Sequence, residues 1–207
     1  VNILHYVVYS QLRGDAMHLK KRVMKRAFCM PKGLVGRIGG RLMSLDRELP
    51  AWVLNRLELR PSDSLLEIGP GPGVGVELAS TRASRGRVVG VDPSETMLSM
   101  AHRRNCTHIE SGRVELRLGT VDDLPFDDDT FDAAMAINCL HLWPDSVRGL
   151  KELARILRPG GRVAVAISRF SYVSPDAFET QLRESGFTDI SIHQGDRGTC
   201  ALGRVGP

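Results

Sequence analysis

The chain has no paired cysteines, few aromatic residues and no long apolar run, and each shortage removes a class of protein. Its four cysteines, Cys29, Cys106, Cys139 and Cys200, lie far apart with no C-x-x-C spacing. Such a set supplies neither a zinc site nor a disulfide framework, and it fits a reducing, cytoplasmic setting. Isolated cysteines of this kind serve mostly as small core hydrophobes. No apolar stretch approaches the roughly 18 residues that a membrane span requires. The opening VNILHYVVYSQLRGD has an apolar patch with no basic flank before it and no small-residue cleavage site after it, so it does not read as a secretory signal. Aromatics are 5% of the residues, and only Tyr6, Tyr9 and Phe28 accompany the basic N-terminal run. Base stacking against nucleic acid therefore has little support.

What is present is the composition of a soluble globular domain: 42% hydrophobic and 25% charged over 207 residues. The charge is unevenly placed. Residues 1–50 hold ten Lys+Arg against three Asp+Glu, a balance of +7, whereas the remainder holds 18 against 21, and the two sum to +4. A basic arm on a mildly acidic body indicates an appendage with its own task. It contains the run HLKKRVMKRAF, the glycine-broken PKGLVGRIGG and a helical pattern over 42–57. We expect residues 1–45 to form a cap or docking arm, hinged at the glycines 33, 36, 39 and 40 and able to touch either anionic lipid or a hydrophobic substrate. Residues 46–207 form the main domain. Met17, Met24 and Met30 are alternative starts for a chain that here begins at Val1.

Beyond residue 60 strand and helix alternate. Strands are expected at 63–68, 86–92, 113–118, 131–138 and 162–168, and TDISIHQ with TCALGRV forms a closing hairpin. Helices open at Val74, span 94–105 behind a Ser94 cap, span 146–157 before RPGG, and span 175–186 behind Pro175. Continuous apolar strands alternating with helices give an α/β fold, a doubly wound parallel sheet covered on both faces.

The loop after the first strand reads Gly69-Pro70-Gly71-Pro72-Gly73. Ligands of such sheets bind beyond the carboxyl ends of the strands, so this loop is a prime site. A dinucleotide fingerprint would need its third glycine at 74, where Val74 stands, and no G-K-[ST] exists for a phosphate loop. Two prolines also remove backbone donors that would hold a pyrophosphate. The loop suits close backbone approach with little anion binding. Asp92, ending the second strand, is placed to accept both hydroxyls of an adenosine ribose. Glu67 adds negative charge that repels a pyrophosphate but suits the cationic amino-acid end of S-adenosylmethionine.

LEIGPGPG, GVDPSETML, RLGTVDDLPFDDDTFD and ELARILRPGGRV, in that order, resemble the successive signatures of small-molecule class I S-adenosylmethionine-dependent methyltransferases. The likeness is greatest to the ubiquinone/menaquinone C-methyltransferase group and covers residues 45–207, with PKGLVGRIGGRLM resembling the lead-in of bacterial members. The resemblance implies a mostly parallel, seven-stranded Rossmann-like sheet with an antiparallel last strand and an N-terminal helical cap. It implies that Glu67, Gly69, Gly71 and Gly73 line the methionine moiety of the cofactor, and that Asp92 binds the ribose. Pro93, Ser94 and Met97 would pack near the adenine, and Asn138 would face the methyl end. Thr120 and Val121 stand where the family has Asp-Ala, so an acceptor carboxylate is missing at 120 and Asp122 is the candidate substitute.

His141, in NCLHLWPD, is the candidate general base, since an imidazole can take a proton from a phenol or hydroxyl. The competing reading makes it a structural loop histidine. Trp143 either lines an acceptor pocket or covers the core. Asp127, Asp128 and Asp129 read as a solvated turn, since three adjacent carboxylates cannot point at one site, and no metal is inferred. After the fourth strand Asn138-Cys139-Leu140-His141 lacks the (Asn/Asp)-Pro-Pro-aromatic motif of amino-methyltransferases and the Pro-Cys of cytosine methylation. These readings favour methyl transfer to a small hydrophobic or lipid-like acceptor. The alternatives are an RNA methyltransferase or RNA-binding protein, suggested by the basic arm, and an NAD(P)-dependent reductase, opposed by the missing third glycine.

Overall fold

The computed structural model describes residues 33–169 and 174–206. The expected basic run at 18–28 and the alternative starts lie outside the described residues. Helices α1 (Gly33–Met43) and α2 (Glu48–Arg56) lead into β1 (Ser64–Ile68), α3 (Val74–Arg82), β2 (Arg87–Asp92), α4 (Glu95–Arg104), α5 (Cys106–Glu110) and β3 (Val114–Leu118). Then come β4 (Phe131–Ile137), a 3-10 turn (Leu140–Leu142), α6 (Ser146–Ile156), β5 (Leu157–Ser168), α7 (Pro175–Glu184), β6 (Phe187–Gly195) and β7 (Gly198–Val205).

The seven strands lie in the order β3-β2-β1-β4-β5-β7-β6. Strands β1 to β5 pair in parallel, and β7 runs antiparallel to both β5 and β6. The order reverses between β1 and β4, which places the switch point at the carboxyl end of β1. Period-two alternation divides the core between the two faces. Leu66, Val89, Ala134 and Val165 pack with Leu150 and Leu153 of α6 and Phe178 and Leu182 of α7. Leu65, Val88, Ala133 and Ala164 pack on the other face with Val53 and Leu54 of α2 and Val76 and Ala79 of α3.

Local chemistry sets the helix starts. Ser94 Oγ accepts from the Met97 N–H at 3.3 Å, and Ser174 Oγ accepts from the Ala177 N–H at 3.2 Å with Pro175 in the first turn. Asp145 caps α6 by accepting from the Arg148 N–H at 3.0 Å.

Three sequence expectations need correction. The helix expected over 42–57 is two helices, because the Ser44 N–H and Oγ both bond Gly40 O to close α1, and Asp46 Oδ1 caps the Leu49 N–H to open α2. Glycines 33, 36, 39 and 40 are not hinges: all lie within α1, and Gly36, Gly39 and Gly40 are buried. The RPGG segment does not simply end a helix. Leu157 already pairs with Phe131 and Arg162 with Ala133, so residues 158–161 form a bulge inside β5.

Candidate functional site

The loop between β1 and α3 alternates glycines of positive φ (Gly69 +68°, Gly71 +54°, Gly73 +84°) with prolines whose rings fix φ near −65°. Its three glycine N–H groups are spent inside the protein. Gly69 donates to Val91 O at 2.8 Å, Gly73 to Pro70 O at 2.9 Å, and Gly71 to Asp92 Oδ2 at 3.0 Å. The loop's own glycine N–H groups are thus not free for a pyrophosphate, which opposes a dinucleotide reading. The loop is held from beneath by α4: Asn105 Nδ2 donates to Gly73 O at 3.1 Å, and Arg104 Nε donates to Pro72 O at 3.1 Å. Neither residue is marked by any short motif, because each acts through a contact about 30 positions away in sequence.

Two carboxylates stand at the ends of neighbouring strands. Asp92 is 5% exposed, and its oxygens accept from the Gly71 and Ser94 N–H groups. Burial raises its pKa to about 6 against the opposing pull of those two donors. Each carboxylate oxygen keeps acceptor capacity for a further donor. Glu67 is 3% exposed, and burial first and the Asp92 charge second raise its pKa to about 8, partly offset by the Val76 N–H. Its Oε2 is buried without a hydrogen-bond partner, and a Cβ at position 75 would collide with the carboxylate, so Gly75 makes room for Glu67. A buried acidic pair with no cation beside it among the described residues has the electrostatics of a site for a cationic ligand carrying hydroxyl donors.

Around this pair the other expected residues are distributed unevenly. Met97 is buried beneath α1, where a Cβ at Gly40 would lie 2.8 Å from its Cε. Met43 reaches the loop, its Cε 3.3 Å from a Cβ built at Gly71. Pro93 is exposed at the end of β2. The loop after β3 returns to Asp92, since the Gly119 N–H donates to Asp92 O at 3.2 Å. There Thr120 is exposed, Val121 is buried in the core, and Asp122 keeps a buried Oδ1 without a partner.

Asn138 takes a left-handed conformation (φ +57°), and its Oδ1 accepts from the Ser168 N–H at 2.7 Å, tying the ends of β4 and β5 together. Cys139 donates its S–H to Ile68 O at 3.2 Å and packs against Gly69, and burial pushes its thiol pKa far up. It is an inert backing for the loop. Trp143 packs over Gly149 and Val121, so it covers the core. His141 sits on the exposed 3-10 turn, with its pKa lowered by desolvation. Asp128 pairs with Arg155 at 2.7 Å in the turn ahead of β4.

The order of strands, the switch-point loop and the buried acidic pair define a doubly wound α/β protein with its candidate site at the carboxyl end of β1. Comparison with known proteins gives the family. The model of the methyltransferase domain family matches residues 66–165. An uncharacterised methyltransferase of Bacillus subtilis is 31% identical over 164 residues, spanning 75% of this chain and 88% of that protein. The chain belongs to the class I S-adenosylmethionine-dependent methyltransferases and uses S-adenosylmethionine as its cofactor. A ubiquinone/menaquinone biosynthesis C-methyltransferase of Geotalea daltonii is 29% identical over 122 residues, spanning 58% of this chain but only 52% of that protein. Among solved structures, a SAM-dependent methyltransferase of Aquifex aeolicus superposes with a TM-score of 0.63 at 18% identity over 93% of this chain and 98% of that one. A [4+2]-cyclase, SpnF, superposes with a TM-score of 0.66 at 18% identity over 78% of this chain and 81% of that one. That likeness shows the fold alone, and the site must carry the chemistry.

Proposed function

We propose that the protein transfers the methyl group to a small hydrophobic or lipid-like acceptor by direct in-line displacement. The supporting observation is the buried carboxylate pair of Glu67 and Asp92, with Glu67 Oε2 lacking a partner, beside a loop that Met43 reaches. Bound cofactor supplies an already activated sulfonium methyl. In this reading Glu67 balances the cofactor's positive charge, Gly69, Gly71 and Gly73 allow close backbone contact with the methionine moiety, and Asp92 accepts from the ribose hydroxyls. Met97 and Pro93 flank the adenine. The partnerless Asp122 Oδ1 takes the acceptor role that Thr120 cannot fill, with Val121 as the floor. Asn138 shapes the methyl end through its left-handed backbone.

The chain's own task is positioning and exclusion of water, which in the best intramolecular cases supplies about 7–11 kcal/mol. His141 stands on the turn after β4, where desolvation lowers its pKa and so favours the neutral imidazole, the form that can accept a proton from an acidic acceptor hydroxyl. Relatives named as ubiquinone/menaquinone and demethylmenaquinone methyltransferases favour an apolar acceptor. The test is methyl transfer from radiolabelled cofactor to lipid, quinone and phenolic extracts and to RNA in parallel. Label in the organic phase is expected. Label confined to RNA would overturn the acceptor reading and leave the cofactor assignment intact.

A further inference from the structure

Helix α1 has two faces, and the core uses one. On the inner face Gly36, Gly39 and Gly40 are buried, and Gly40 lies so close to α4 that a Cβ there would sit 2.6 Å from Met100 Sδ. On the outer face Ile38 is 53% exposed and Leu42 46%, and Leu45, just beyond the helix, is 69% exposed. Ile38 and Leu42 are one turn apart, and exposed Arg37 and Arg41 run beside them with the same spacing. A helix apolar on both sides leaves its outer side to be covered by something.

The charge pattern selects what covers it. Residues 16–45 contain eight Lys+Arg and no Asp or Glu. A second copy of this chain would bring the same positive face to a two-fold contact and meet repulsion. RNA would satisfy the arginines but would leave the three aliphatic side chains in water. An anionic lipid surface satisfies both, because interfacial helices combine apolar insertion with attraction of Lys and Arg to headgroup phosphates. We propose that the outer face of α1 docks on an anionic bilayer, with Ile38, Leu42 and Leu45 in the headgroup–acyl boundary and Arg37 and Arg41 on the phosphates. The inner face rests on α4, and Met43 at the end of α1 reaches Gly71 of the cofactor loop, so docking would bring that loop to one helix diameter, about 10 Å, from the lipid. A lipid-dissolved acceptor would then have a short path to the site. The inference goes beyond the acceptor reading, and its test reads vesicle binding without methyl transfer, so the two fail separately.

The test is flotation of the full chain with phosphatidylglycerol-rich vesicles and with vesicles of phosphatidylcholine alone, at low and high salt. Binding to the anionic vesicles only, weakened by salt, is expected. Ile38→Ser with Leu42→Ser should lower partitioning at least about tenfold, since both the apolar and the charged contribution are needed for stable attachment. Arg37→Gln with Arg41→Gln should lower it too and flatten the salt dependence. All variants should keep the parent affinity for S-adenosylmethionine by calorimetry, which shows that they are folded. Absence of flotation overturns the proposal. So does flotation unchanged by the Ile38/Leu42 pair, which would assign the contact to the basic sequence ahead of α1. A dimer that dissociates in that variant while flotation persists would make the face a contact between copies and also overturn it.

Discussion

At Glu67 a carboxylate is kept where water cannot reach it and beside a second carboxylate, and the folded protein responds by holding a proton there. Its pKa rises from 4.5 to about 8, so the folded state binds that proton more tightly than the unfolded chain does. The sign follows: this contribution to stability is complete below the ordinary carboxylate range and is lost as pH climbs towards 8. Asp92 acts in the same direction over a lower window, from 3.8 to about 6. A cationic ligand reverses the preference by stabilising the ionised form. Affinity for S-adenosylmethionine should therefore rise between about pH 6 and pH 8, with protons released on binding. Calorimetry in buffers of different ionisation heat checks this, and Glu67→Gln should remove the proton release near pH 8 and leave the Asp92 share near pH 6. Glycines separate by the same residue-level reasoning. A methyl at Gly73 would lie 2.8 Å from Ala101 Cα at φ +84°, so Gly73→Ala should cost about 1–3 kcal/mol and weaken cofactor binding. A methyl at Gly40 meets only the flexible ends of Met97 and Met100 in a helix that gains about 0.5–1 kcal/mol from alanine, so Gly40→Ala should leave the melting temperature nearly unchanged. Thermal denaturation of the pair distinguishes a backbone requirement from close packing.

Among the elements, those specified by nearby residues were legible. Ser94, Pro175 and the short apolar run of β1 announce α4, α7 and the first strand because cap, ring and apolar run act over a few residues. The break between α1 and α2 was missed because Leu42, Leu45, Leu49 and Val53 continue a helical period across it, while the turn is made by Ser44 and Asp46 bonding to their own neighbours. The glycines of α1 were misread as hinges, since sequence alone does not separate a glycine that bends from one that lets two helices approach. At the site, Glu67 and Asp92 were legible from their places beside the loop. Asn105 and Arg104 were not, because their partners Gly73 and Pro72 lie about 30 residues away. The structure places Met43 and Gly40 of α1 against the loop and α4, and α1 ends at Met43, just short of the boundary expected at residue 45. A chain beginning at Met30 should fold and bind the cofactor as the full chain does. Removal through Leu45 uncovers Met97 and Met100 and should weaken cofactor binding by no more than about tenfold, or 1.4 kcal/mol, while abolishing transfer to the native acceptor. Calorimetry and a transfer assay on the two truncated chains separate a cover from a structural part of the sheet. Loss of folding in the longer deletion, or full transfer by it, would count against the assignment.

The two ends of the sheet differ in character: the candidate site and the Glu77 ion pairs with Arg47 and Arg104 lie at the carboxyl ends, and a buried ion pair lies at the amino ends. At the amino pole Asp63 and Arg162 form a buried ion pair 99 residues apart, with Arg162 Nη1 also donating to Glu58 O at 2.8 Å and Asp63 accepting from the Arg60 N–H at 2.8 Å. These contacts tie the chain entering β1 to the start of the parallel part of β5. A pocket of about 140 Å³ opens beside them, lined by Arg56, Glu58, Arg162, Asp189 and Arg204, at the opposite end of the sheet from Glu67 and Asp92. Its acidic residues Glu58 (φ +52°) and Asp189 (φ +48°) both hold left-handed backbone. Such contacts fix the sheet without touching the cofactor, so stability and binding should come apart under mutation. Removing one partner of a buried pair leaves an uncompensated charge, which costs about 3–5 kcal/mol. Arg162→Met should therefore lower the denaturation midpoint strongly, and adding Asp63→Asn should recover part of the loss because the stranded charge is gone while the Arg60 N–H keeps an acceptor. Below its melting temperature the single variant should bind S-adenosylmethionine with parent affinity per folded molecule. Urea titration followed by calorimetry on the folded fraction reads both quantities. A fall in cofactor affinity as large as the fall in stability would show that the two poles are coupled through β1 and β5.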